Sequence, residues 1–133
     1  MHELYIGIGS NLGDRQANIL AALQRLRSRA EIFAVSAFYE SDAAHGAAGP
    51  AYLNVAAALR SPLDRERFNA FARDVERAVG RAGGTPRLAA RPIDIDLLVF
   101  DGEMVARLDA RAYNAVPLAE IAPQLLPRAL SLW

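Results

Sequence analysis

Apolar positions along this chain follow two rhythms, one of period two and one near 3.6, and the switches between them mark its elements. Leu4, Tyr5, Ile6 and Ile8, with Gly7 and Gly9 among them, predict a first strand whose glycines stand where another backbone or a ligand comes close. Ser10-Asn11-Leu12-Gly13-Asp14 reads as a turn, with Asn11 or Asp14 placed to cap a helix. Ile19, Leu20, Leu23 and Leu26 carry that helix to about Arg29. Phe33 to Tyr39 predicts a second strand, with Phe33, Val35, Ala37 and Tyr39 sharing one face. A long loop of small residues covers 41–50, and Tyr52 to Leu59 follows as a third strand, alanine-rich and so closely covered by a helix. Ser61-Pro62-Leu63-Asp64 opens a second helix, which carries Phe68, Phe71, Val75 and Val79 as its apolar stripe and ends at Gly80-Arg81. A second long loop, 82–90, leads to a fourth strand from Arg91 to Phe100. Beyond a turn at Asp101-Gly102, the tail around 116–123 is expected to pack as short helical turns.

The order β-α-β-β-α-β predicts an α+β, ferredoxin-like domain over residues 1–133: one antiparallel sheet with both helices packed on one side. Such an architecture hosts many functions, so function has to come from particular residues.

The fourth strand carries the chemistry. Alternation turns Asp94 and Asp96 to one face, roughly 7 Å apart, and Ile93, Ile95 and Leu97 to the other. Two like charges held this way are costly unless a cation joins them, and all-oxygen ligands suit Mg²⁺ or Mn²⁺. Arg91, three residues earlier, stands where a guanidinium reaches an anion on such a metal. The competing reading is a solvated strand edge that happens to carry two Asp. Composition narrows the alternatives. There is no Cys, all fifteen basic residues are Arg, and His2 and His45 are the only histidines. Thiolate chemistry, a P-loop or Schiff-base lysine and a His-rich metal site are therefore excluded. What remains is Asp/Glu with a divalent metal, arginine clamps and backbone amides. Fifteen acidic residues balance the fifteen basic ones, which leaves no basic footprint for nucleic acid. No apolar run reaches membrane-spanning length and the start has no leader pattern, so a cytoplasmic protein with no membrane partner is expected.

Five segments together resemble the 6-hydroxymethyl-7,8-dihydropterin pyrophosphokinase family of folate synthesis. They are Tyr5-Ile6-Gly7-Ile8-Gly9-Ser10-Asn11-Leu12-Gly13, Ser36 to Ser41 with Tyr52-Leu53-Asn54, Glu76 with Gly80-Arg81, Arg91-Pro92-Ile93-Asp94-Ile95-Asp96-Leu97-Leu98, and Arg111-Ala112-Tyr113 with Pro117 to Pro123. The resemblance implies Mg²⁺-dependent transfer of pyrophosphate from ATP to the pterin's hydroxymethyl group, with Asp94 and Asp96 holding two Mg²⁺ and Arg81 and Arg91 clamping the phosphates as catalytic residues. It places Glu76, Arg87, Ile95, Arg107 and Arg111 with Arg81 and Arg91 around the nucleotide. It places Ser41, Asp42, Ala44, Tyr52, Asn54 and Tyr113 around the pterin, Asn54 reading the ring's edge and Tyr113 stacking on it. Three departures stand out: residues 105–111 run short and lack the family's Pro-His pair, the loop at 41–46 lacks its prolines, and Gly83-Gly84 and Leu88 replace an extra basic residue and a Trp. These lead to an expectation of weak nucleotide binding. A non-catalytic pterin- or nucleotide-binding relative, and a pyrophosphokinase for a different pterin, remain as alternatives. Expected partners are small molecules alone, with the chain a monomer or weak homodimer.

Overall fold

In a computed structural model of the chain, residues 1–41, 51–82, 92–105 and 112–125 are described, apart from the side chains of 81, 82, 112 and 113. The elements in order are β1 (His2–Ser10), α1 (Arg15–Leu26), β2 (Glu31–Val35), β3 (Tyr39–Ser41), β4 (Tyr52–Ser61), α2 (Arg65–Ala82), β5 (Asp94–Phe100), β6 (Glu103–Met104) and α3 (Ala112–Ile121), with a 3-10 turn at Pro123–Leu125. The sheet runs β2-β4-β1-β5-β6, with β3 also on β4, and every pairing is antiparallel. This is the expected ferredoxin-like α+β arrangement.

Both long helices begin at an aspartate. The Asp14 carboxylate accepts the Ala17 N–H at 3.0 Å, and that of Asp64 accepts the Arg67 N–H at 2.8 Å. From α1, Ile19, Ala22, Leu23 and Leu26, and from α2, Phe68, Ala72, Val75 and Val79, pack on one face of the sheet against Leu4, Ile6, Ile8, Val55, Ala57, Leu59 and Ile95. The opposite face carries Tyr5, Ala56, Ala58, Leu98 and Val99 against Ala115, Leu118 and Ala122 of the α3 segment. β1 is therefore covered on both sides, and from Leu4 to Ser10 every residue is buried. Where the β1–β5 register shifts, between Tyr5 and Ile6, β5 turns two consecutive side chains, Leu98 and Val99, to the α3 side.

Three details differ from the sequence expectation. The stretch from Phe33 to Tyr39 is not one strand but two, β2 and β3, interrupted at 36–38. Ser36 donates its backbone N–H to the Ala56 carbonyl at 2.9 Å while Tyr39 pairs with Asn54, so Ala37 and Phe38 together stand opposite Val55 alone. The Ser36 hydroxyl takes the Ala56 N–H at 2.9 Å and donates to the Ala37 carbonyl at 2.8 Å, replacing ladder bonds that the bulge removes. Ser36→Ala is accordingly expected to leave a buried N–H unpaired and to lower the unfolding free energy by about 1–3 kcal/mol, read by urea titration. Second, the tail forms a ten-residue helix despite Pro117, because burial of Ala115, Leu118 and Ala122 offsets the lost backbone bond. It adds a layer on the face that α1 and α2 leave open. Third, the Asp101-Gly102 turn returns as a strand, β6. Both turn residues have positive φ, 48° and 84°, the type of turn that suits the twist of a two-residue hairpin.

Candidate active site

Register brings the candidate residues together. Gly9 pairs with Asn54 of β4 on one side and with Asp94 of β5 on the other, and Gly7 pairs with Asp96. Ile6 and Ile8 belong to the α1/α2 core, so Gly7 and Gly9 and their partners face the other side, towards α3. The two glycines make a floor that neighbouring side chains occupy. A Cβ at Gly7 would lie 2.3 Å from the Oδ1 of Asn114, and one at Gly9 would lie 3.0 Å from the Oδ1 of Asn54 and 3.3 Å from the Tyr52 ring. A side chain at position 7 would force the Asn114 carboxamide to move, and one at position 9 would press Asn54 and Tyr52 back by a few tenths of an ångström.

Asn54 is 3% exposed, and its orientation is set by its donors: Nδ2 reaches the Ser41 hydroxyl at 2.8 Å and the Tyr39 carbonyl at 3.3 Å. Its acceptor oxygen is thereby turned to the Gly9 side. Asp94 and Asp96 are both half-buried, and Asp96 receives the Nδ2 of Asn114 at 3.4 Å. Glu120 anchors the rim. It accepts from the Ala37 N–H through both oxygens and from the Tyr39 hydroxyl, tying α3 to the bulge between β2 and β3.

The outer edge of β5 is closed by α2. Ile95 donates its N–H to Glu76 at 2.7 Å and its carbonyl accepts from Arg73, whose Nε lies 3.2 Å from the same Glu76 carboxylate. An edge that would otherwise offer unpaired backbone is satisfied by this pair. Burial pushes the Glu76 carboxyl up to about 6; the Ile95 N–H and Arg73 pull it down, while Asp94, a like charge that also hydrogen-bonds to it, pushes it further up. A raised carboxyl means that the folded protein holds a proton that the unfolded chain has already released. Without metal, stability is therefore expected to fall by roughly 2 kcal/mol as pH rises from about 4.5 through 6. Urea titrations across that window, with Glu76→Gln losing the slope, check the assignment.

The sequence signature of the 7,8-dihydro-6-hydroxymethylpterin-pyrophosphokinase (HPPK) family matches residues 5–123. The chain belongs to this family. A 2-amino-4-hydroxy-6-hydroxymethyldihydropteridine pyrophosphokinase of Porphyromonas gingivalis is 33% identical over 144 residues, covering 97% of both proteins. One from Aquifex aeolicus is 31% identical over 135 residues, covering 95% of this chain and 84% of its own. The "Folic acid synthesis protein FOL1" of Dictyostelium discoideum is 29% identical over 138 residues, which are 97% of this chain and 21% of that protein.

Of the residues that the sequence singled out, Ser41, Tyr52, Asn54, Asp94 and Asp96 lie along β3, β4 and β5, and the register rows through Gly9 and Gly7 bring Asn54 together with the two aspartates. Glu76 and Ile95 meet each other at the β5 edge, and the Ile95 side chain is fully buried in the α1/α2 core. Arg81 falls in the last turn of α2, and Tyr113 is the second residue of α3, next to Asn114. Asp42, Ala44, Arg87, Arg91, Arg107 and Arg111 lie outside the described residues. A cleft of about 410 Å³ at the start of α1, lined by Gly13 to Gln16, Phe38 and Leu53, contains none of the candidate residues. Sequence reasoning missed Arg73, Asn114 and Glu120. For Asn114 a signal existed: it is a polar residue in the apolar run from Ala112 to Leu118.

Proposed function

We propose that this chain moves the terminal pyrophosphoryl group of ATP to the hydroxymethyl oxygen of 6-hydroxymethyl-7,8-dihydropterin. That oxygen attacks the β-phosphorus, the bond from this phosphorus to the oxygen bridging it to the α-phosphorus breaks, AMP leaves with that oxygen, and the hydroxyl proton is released. The observation that supports this reading best is a single sheet face on which a buried carboxamide, two glycines and two carboxylates stand side by side.

The donor set fits Mg²⁺. Among the described residues no three acidic or histidine side chains gather into a cage. A pair of carboxylates is what Mg²⁺ takes when it keeps waters and draws its other ligands from substrate phosphates. In this reading Asp94 and Asp96 hold two Mg²⁺, which when bound offset the triphosphate charge and polarise the phosphorus under attack. Arg81 and Arg91 clamp the phosphates, with Arg87, Arg107 and Arg111 as further anion contacts. Asn54 accepts from the pterin's N–H edge, Ser41 fixes its orientation, and Tyr52 and Tyr113 flank the flat ring, with Asp42 and Ala44 completing that side. Glu76, committed to the Ile95 N–H, serves by holding the β5 edge, and Ile95, its backbone taken by α2 and its side chain in the core, supports Asp94 and Asp96 from beneath and is not itself a nucleotide contact. Residues 1–133 act as one domain. Among the described residues no helix is long and apolar enough to cross a membrane.

The test is formation of AMP from ATP, followed with and without the dihydropterin and with and without Mg²⁺. AMP that requires both supports the assignment. No AMP, or AMP formed regardless of the pterin, overturns it.

A further inference from the structure

Asn114 is 4% exposed and sits on α3 beside Ala115, Leu118 and Ala122, which are buried against the sheet. A carboxamide buried there is costly unless its polar atoms find partners. Its Nδ2 lies 3.4 Å from the Oδ2 of Asp96, and its Oδ1 rests over Gly7, the residue paired with Asp96 across the sheet. The approach to Gly7 is so close that any Cβ there would lie 2.3 Å from Oδ1. β1, β5 and α3 thus converge on one carboxylate, and the glycine at position 7 is what admits the carboxamide.

We infer that Asn114 is a positioning residue for Asp96: by donating to Oδ2 from the helix above, it selects the rotamer in which the Asp96 carboxylate receives a divalent cation. This rests on the reading of Asp94 and Asp96 as cation ligands. At 3.4 Å the contact is at the long end of the N–H···O range, and its bias on the carboxylate comes together with the placement of Oδ1 over Gly7, which holds the carboxamide above Asp96. Orientation is what such outer donors supply, and removing one typically costs about 10–100-fold in metal affinity. An apolar side chain of similar shape would fill the same space over Gly7 without directing Asp96.

The experiment measures Mn²⁺ affinity by electron paramagnetic resonance, alone and with α,β-methylene ATP, alongside thermal melting. Asp96→Asn is the reference and is expected to lose most of the affinity. Asn114→Leu and Asn114→Ala are each expected to weaken Mn²⁺ binding by about 10-fold or more while keeping a cooperative melt. Gly7→Ala is expected to produce a similar loss, because its methyl displaces the carboxamide, and to add nothing further in the Asn114→Ala background. If Asn114→Leu does not fold, Asn114→Ala and Gly7→Ala carry the measurement. Wild-type Mn²⁺ affinity in the Asn114 variants, with loss in Asp96→Asn, overturns the inference and leaves Asn114 as a spacer. Unchanged affinity in Asp96→Asn itself overturns the cation reading and the inference with it.

Discussion

Asp94→Ala and Asp96→Ala are each expected to abolish AMP formation while leaving the fold standing. Neither carboxylate belongs to a hydrophobic core; the segment that carries them is held by Ile93, just before Asp94, and by Ile95 between the two, both buried against α1 and α2. A cation acting on the triphosphate is worth several kcal/mol of transition-state stabilisation, so losing one ligand should lower the rate by about a thousandfold or more. Burial is the main cause of the raised Glu76 carboxyl, and Asp94 adds to it through its charge and a hydrogen bond; in the metal-free protein Asp94→Ala removes both of these and lowers the Glu76 carboxyl only part of the way. The two readouts are AMP formation and thermal melting. A variant that retains near-normal turnover, or one that no longer folds, would remove the carboxylates from the catalytic role.

Much of this arrangement could be read from the chain because it is local. Period-two alternation puts Asp94 and Asp96 on one face opposite Ile93, Ile95 and Leu97, and that alternation holds up to the bulge that turns Leu98 and Val99 together. The Asp14 and Asp64 caps and the Phe68-Val75-Val79 stripe are local for the same reason. What escaped reading depends on distant partners. The alternation from Phe33 to Tyr39 is unbroken in sequence, and the bulge inside it is held by Ala56 of β4 and Glu120 of α3. Pro117 disguised α3 as a run of short turns, since its cost is offset only by a sheet face that sequence alone does not show to be vacant. Arg73 likewise looks like a solvated helix charge, and Glu76, singled out by resemblance, shows no partner in sequence, until β5 is known to bring the Ile95 backbone beside them. Asn114 has meaning only once Gly7 and Asp96 lie beneath it.

Asn54→Ala is expected to weaken pterin binding strongly and nucleotide binding little. The carboxamide has two donor hydrogens, and both are used inside the protein, on Ser41 and on Tyr39. That fixes which end is nitrogen and leaves recognition to the oxygen, an acceptor suited to a ring edge rich in N–H. With alanine at 54 the pterin's N–H loses its partner in a site from which water is largely excluded, at a cost of about 1–3 kcal/mol, or roughly 5–150-fold in affinity. Ser41 and the Tyr39 carbonyl lose a donor at the same time, so the β3–β4 end of the site loosens, which deepens the loss for the pterin. The carboxylates that would meet the nucleotide stand on β5, across β1 from this position, and are not disturbed. Calorimetric titration of the dihydropterin and of Mg-ATP into wild type and variant measures both constants. A large loss confined to the pterin assigns the ring edge to Asn54. Equal losses for the two ligands would mean that Asn54 only holds β3 against β4, and the pterin's edge would have to be read by another group.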